Sequence, residues 1–301
     1  MTHAAPNVGA PISGATIAAV AAFTVIIWGA SPFVTKIGTN SADPLLVGFL
    51  RTVLAASISV PLILAGRIVW PRTRAQWGWL LGSATSGFCV FPVMYTIGIG
   101  FSTAAHGALI LSGLPVMTGL IAALLERRLP SRHWWAGCAL AILGLGVLVG
   151  DRSGFEGGSD PLLGDLLMVA ACTICAFGYV AGARLSSSIG SWSATMWGIT
   201  LGAAVALPGA LALGGISAIT AIGLAGWLAI AYLAFVVAII GYAAWYWALD
   251  KGGVERVAPA QFFQPVVGVG LAVAFLGESL SWTGLAAALV ILAGVWIARR
   301  R

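Results

Sequence analysis

Long apolar runs dominate this chain, and they leave it little choice but to fold as a bundle of membrane-crossing helices. Ten runs fall at roughly 14–35, 44–65, 76–98, 103–125, 134–150, 162–183, 193–213, 223–248, 256–276 and 281–298. A helix needs about 20 mostly apolar residues to cross the hydrocarbon core, whereas a membrane barrel would show shorter, alternating stretches. With 60% hydrophobic and 8% charged residues, the chain also lacks the polar surface to coat a soluble globule. The connections are short, so no extramembrane domain fits between the runs. The expected fold is therefore an all-α integral membrane protein with ten transmembrane helices. Met1 to Gly14 carries no Lys or Arg, so the first run reads as a retained helix rather than a cleaved signal.

The runs repeat. A shift of 150 positions lays Pro115 on Pro265 and Gly144 on Gly294, and a shift of 148 lays Gly78-Trp79-Leu80 on Gly226-Trp227-Leu228. Trp28 to Lys36 is carried onto Ala176 to Arg184 by the same 148. The polar stretch from Asp151 to Pro161 divides the chain into residues 1–152, the first repeat with spans one to five, and 153–301, the second with spans six to ten. Five is odd, so the second copy enters the membrane from the opposite face. Inverted repeats of this kind set a solute site at their interface and exchange access between the two sides.

Charge fixes the expected orientation. If both termini are cytoplasmic, 12 of the 15 cationic residues lie on the inner side: Arg67, Arg72, Arg74, Arg127, Arg128, Arg132, Arg184, Lys251, Arg256 and Arg299 to Arg301. Lys36 and Arg152 fall outside with Asp43, Asp151, Glu156, Asp160, Asp165 and Glu278, and Arg51 lies within span two. The net charge of +6 is thus a positive-inside bias toward the bilayer, not a nucleic-acid surface. Cys89, Cys138, Cys172 and Cys175 all sit in apolar runs as small packing residues, and no metal or cofactor motif accompanies them. The sequence pattern does not fix an oligomeric state, and a monomer is compatible with it. Glycines four apart, at Gly78/Gly82, Gly146/Gly150, Gly178/Gly182 and Gly198/Gly202, are the expected helix-packing sites.

The polar groups at depth point to solute binding. Gln261 and Gln264 share one face of span nine, and their amides can both donate and accept, which suits a zwitterion. Trp28, Phe91, Tyr95, Tyr242, Tyr246 and Phe263 offer an aromatic wall, with Ser112 and Leu114 at mid-depth of span four. Pro115, Pro259 and Pro265 interrupt the helical ladder and are hinge candidates, and Pro32 kinks the outer end of span one. Arg51 is either a structural arginine or a gate and carboxylate contact. His106, at the outer end of span four, is a gate candidate or a capping histidine. No Asp, Glu or His lies at mid-depth, so gradient-driven facilitated movement is expected over proton coupling. The absence of a phosphate loop excludes ATP drive within the chain. Nine scattered acids and three histidines without a shared motif argue against an intramembrane enzyme, and a channel would not need the duplication.

Trp28-Gly29, Pro115, Pro265 and Glu278 sixteen residues before Gly294 resemble EamA-type members of the drug/metabolite transporter superfamily over nearly the whole chain. Gly241-Tyr242-Ala243-Ala244-Trp245 and Gln261-Phe262-Phe263-Gln264-Pro265 are similar to the bacterial aromatic amino-acid exporters. The resemblance implies a bacterial inner-membrane exporter of amino acids and related metabolites, with a cavity lined by spans one, three, four, six, eight and nine. Nucleotide sugars and drug-like compounds are the alternative cargoes. One position departs from the family pattern: its glutamate after the first proline helix falls at Arg128, and the acid stands at Glu126.

Overall fold

In the computed structural model, residues 13–127, 131–151, 159–213, 215–252 and 257–298 are described, and among them all regular structure is helical. Eight helices are long and apolar enough to cross a membrane: α1 Gly14–Ser41, α2 Pro44–Leu64, α3 Arg74–Phe101, α4 Ala104–Leu125, α5 Arg132–Gly150, α6 Pro161–Ile189, α7 Ser191–Ala212 and α8 Leu224–Trp245. Two shorter apolar helices follow, α9 Gln264–Leu276 and α10 Trp282–Ala298. The protein is a multi-pass integral membrane protein. Each of the ten apolar runs contains a helix, but the last two fall short of a full crossing by length. In the ninth, a 3₁₀ segment, Ala258–Phe263, precedes α9, because Pro259 and Pro265 lack the N–H groups that a continuous ladder uses.

Helix starts follow the local chemistry. Asp43, Thr103, Ser131 and Asp160 cap α2, α4, α5 and α6 through their side-chain oxygens. Thr73 and Gln76 form a reciprocal capping box at α3.

Most helices around the centre of the bundle are interrupted. α1 divides at Ala30 into Gly14–Gly29 and Ser31–Ser41, with Pro32 in the first turn of the second part. α4 divides at Gly113, with Pro115 beginning its second part. α3 and α8 each contain a π-helical stretch, Ala84–Val90 and Tyr232–Gly241, whose first residues are 148 positions apart, the offset of the Gly-Trp-Leu match. The proline-led helices Leu114–Glu126 and Gln264–Leu276 end alike, in a left-handed residue at Arg127 (φ 52°) and Gly277 (φ 67°). Gly277 suits that conformation because it has no Cβ. Arg128 lies outside the described residues, as does the Glu126 side chain.

By contrast α6 runs unbroken for 29 residues, past the expected end at 183. Arg184 there lies 4.7 Å over the Trp79 ring. Its buried face, including Met168, Cys172 and Cys175, packs with Tyr95, Ile99 and Ile110 of α3 and α4. All four cysteines are buried. Glycines set the closest helix contacts: a Cβ at Gly164 would meet Gly98, one at Gly178 would meet Gly87, and one at Gly137 would meet Gly294. Of the expected pairs, Gly178/Gly182 and Gly198/Gly202 are packed this way, while Gly78, Gly146 and Gly150 face open space.

Candidate functional site

The interruptions converge on one cavity. About 90 Å³ of its interior is free to water, room for several molecules at roughly 10–15 Å³ each. Its wall draws Trp28 and Ser31 from α1, Arg51, Thr52 and Ala55 from α2, and Gly87, Phe88, Phe91, Pro92 and Tyr95 from α3. Leu111 and Leu114 come from α4, Tyr179 from α6, Ile199 from α7, Val237, Ala238 and Tyr242 from α8, and Gln264 from α9. The wall therefore includes α2 and α7 in addition to the six spans that the resemblance implies.

Trp28 organises one side. Its indole N–H donates to Val237 O (3.1 Å) in the π-helical stretch of α8, and its ring meets Tyr242 edge-on, with centroids 5.1 Å apart. Gly241 lies directly beneath that indole, where a Cβ would collide with Nε1. Phe88 approaches Tyr242 at 6.0 Å, and the Tyr242 hydroxyl donates to Tyr179 Oη at 3.4 Å. Phe88, Tyr179 and Tyr242 also line a second, smaller cavity with Ser83, Ser186 and Thr195.

Of the residues singled out in the sequence, Trp28, Arg51, Phe91, Tyr95, Leu114, Tyr242 and Gln264 meet in this wall. Pro115 and Pro265 stand next to Leu114 and Gln264, in the first turns of their helices. Gln261 and Ser112 are half-buried beyond the wall, and the Ser112 hydroxyl donates to Leu109 O. Phe263 is not part of the aromatic wall; it is 65% exposed and borders a lateral apolar groove with Ile17, Ala260 and Val267. The 3₁₀ geometry is the reason. At three residues per turn Ala260 and Phe263 share one line and Gln261 and Gln264 another, so the phenyl ring is turned away from the amides. The side chains of Tyr246 and Pro259 lie outside the described residues. Phe88, Thr52, Tyr179 and Ile199 were not anticipated, because uniformly apolar helices carry no periodic signal of which face is inward.

A layer of charged groups gathers where α3 ends and α4 begins. The Lys36 ammonium donates to Ile99 O (3.0 Å) and Ser102 O (2.6 Å), the last carbonyls of α3. The Glu278 carboxylate accepts from the Ala104 and Ala105 N–H groups (both 2.8 Å), which open α4. A cation at a helix C-terminus and an anion at the next N-terminus both match the helix dipoles. Asp165 accepts from Ser102 Oγ (2.6 Å) and pairs with His106 Nδ1 (2.8 Å), and Ser281 donates to Asp151. Lys36 and Asp165, expected at the outer surface, are 7% and 1% exposed, because these interhelical partners replace water. His106 is buried, pairs with Asp165, and is not among the residues that line the cavity. Among the described residues no group of His, Cys, Asp and Glu could hold a metal ion.

The model of the EamA-like transporter family matches the chain twice, at residues 15–150 and 162–300. The chain is 30% identical to the uncharacterized transporter YdeK of Bacillus subtilis, over 92% of this chain and 94% of that one. It is also 30% identical to a probable amino-acid metabolite efflux pump of Salmonella typhimurium, over 92% of each. A solved crystal structure superposes with a TM-score of 0.63 at 19% identity, covering 94% of this chain and 98% of its own, a likeness of fold alone.

Proposed function

This chain belongs to the EamA-like transporter family, and we propose that it is a secondary transporter that exports amino acids, aromatic or other apolar ones first, and related metabolites by alternating access. The observation that carries this reading is the cavity itself: a water-accessible, aromatic-walled space set where α1, α3, α4, α8 and the 3₁₀ entry to α9 lose regular helical geometry. Irregular backbone at membrane depth is tolerated where it lines a cavity, and interrupted helices are where transporters bind solutes. The name of the Salmonella relative supports amino-acid metabolites as cargo.

Two five-span repeats, residues 1–152 and 153–301, inserted in opposite senses, form the bundle. Support comes from the double family match, from the π-helical stretches 148 positions apart and from the paired left-handed caps. The termini lie in the cytoplasm of a bacterial cell and the Lys36–Glu278 end faces outward, since that arrangement puts 12 of 15 cationic residues inside. The charged layer is then the closed outer gate, and the smaller cavity on the far side of Phe88, Tyr179 and Tyr242 lies toward the inner face. Pro32, Pro115 and Pro265 mark the bends about which the halves rock.

Counterflow in proteoliposomes tests the reading. Vesicles loaded with unlabelled L-phenylalanine are expected to accumulate labelled L-phenylalanine transiently and saturably. Uptake that is linear in concentration, or no uptake of any amino acid, would overturn it.

A further inference from the structure

Arg51 is the one charged side chain in the cavity wall among the described residues, and no Asp or Glu lines that wall. It is 8% exposed, and it makes no hydrogen bond, ion pair or ring contact with any described residue. Its electrostatic neighbours are Tyr242, Tyr95 and Cys175, none of them an anion in a buried setting. A desolvated guanidinium without a partner is a costly arrangement, and in folded proteins such groups are paired or face a polar space. Nearby stands a second orphan. The Tyr95 hydroxyl, packed against Gly107, is the one buried side-chain polar atom without a hydrogen-bond partner among the described residues.

Two unsatisfied donors in a wall of net charge +1 define a ligand. From this we propose that the cavity binds an organic carboxylate, with Arg51 as its counter-ion and Tyr95 as a supporting donor, and that a substrate amino group is not required. The guanidinium fork matches a carboxylate in two parallel hydrogen bonds. For an ammonium the wall offers only neutral acceptors, such as Gln264, Ser31 and Thr52, whose hydroxyl proton goes to Phe88 O (2.9 Å). A positive group would also feel the Arg51 charge across a medium that screens it weakly. The apolar part of the ligand would lie against Trp28, Phe88, Phe91 and Tyr242. The cargo class is thus aromatic or branched aliphatic monocarboxylates, of which amino acids are the aminated members. This rests on the cavity being the transport site.

Direct binding to the purified protein, by calorimetry, decides it independently of counterflow. Four probes share one ring: L-phenylalanine, 3-phenylpropanoate, phenethylamine and phenyl phosphate. 3-Phenylpropanoate is expected to bind at least as tightly as L-phenylalanine, and phenethylamine at least about tenfold more weakly, the worth of one charged contact. Arg51→Gln is expected to weaken 3-phenylpropanoate about 10- to 100-fold, Arg51→Lys less, and Tyr95→Phe about 3- to 10-fold. If the variants do not fold, the ranking on the unmodified protein still decides. Phenethylamine matching the carboxylates, phenyl phosphate surpassing them, or no probe binding would each overturn the proposal. Saturable counterflow with an amine-tolerant ranking would sink this inference alone, while absent counterflow with carboxylate-selective binding would sink the transport reading alone.

Discussion

Removing the Glu278 carboxylate tests the gate from the structure outward. Glu278 is half-buried and satisfies two N–H groups at the start of α4, Ala104 and Ala105 at 2.8 Å each, from 174 and 173 residues away. Hydrogen bonds to a charged acceptor contribute about 1.5–3 kcal/mol apiece, but partial exposure lets water replace part of that. Glu278→Ala should therefore weaken the closed layer by about 2–4 kcal/mol, a roughly 30- to 900-fold shift of the closed-to-open ratio at 1.36 kcal/mol per tenfold. The assay is labelling of Leu111→Cys, a cavity position, by a membrane-impermeant maleimide added outside, with the four native cysteines replaced. Labelling should accelerate by a factor that approaches this range before saturating, and Glu278→Gln should fall between. An unchanged rate in Glu278→Ala, with the protein folded, would refute the idea that this contact holds the outer side shut.

Other outcomes follow from the same geometry. Gln264→Ala should weaken 3-phenylpropanoate binding about threefold to tenfold and Gln261→Ala hardly at all, because the first amide lines the cavity and the second, one turn away on the same face, does not; equal effects in the calorimeter would contradict the placement of Gln261 beyond the cavity wall. Gly241→Ala forces Trp28 off α8, an overpacking worth about 1–3 kcal/mol, and should lower the thermal midpoint and slow counterflow, whereas Gly146→Ala, in open space, should do neither. Asp165→Ala strands both Ser102 Oγ and His106 Nδ1 in a buried layer and should destabilise the purified protein by about 3–5 kcal/mol in thermal unfolding; a change under about 1 kcal/mol would mean that water repairs the site.

Much of the bundle was legible in the sequence because lipid makes length and hydropathy decisive, and the proline positions foretold the breaks in α1, α4 and before α9. The family resemblance, drawn from Trp28-Gly29, the two prolines and Glu278, agrees with the family that the chain belongs to. The π-helical stretches were not legible: Ala84–Val90 and Tyr232–Gly241 contain no residue that dictates an extra residue in the turn. Nor was the burial of Lys36 and Asp165, since a charge near a helix end reads as surface until its interhelical partners are known. Phe263 was grouped with the aromatic wall by residue type alone, and its position between the two amides turns it outward to the lateral groove. Arg51 stood out by depth alone, but only the structure shows that it reaches the cavity without a partner.

The central claim is that the two halves thread the bilayer in opposite senses. Arg72 and Thr220 are equivalent at the 148-residue offset, and both are exposed, just before α3 and just before α8. Single cysteines placed there, probed in intact cells with an impermeant thiol reagent, should report opposite faces: Thr220→Cys labelled from outside, Arg72→Cys only after the membrane is permeabilised. Labelling of both from the same side would contradict the inverted arrangement.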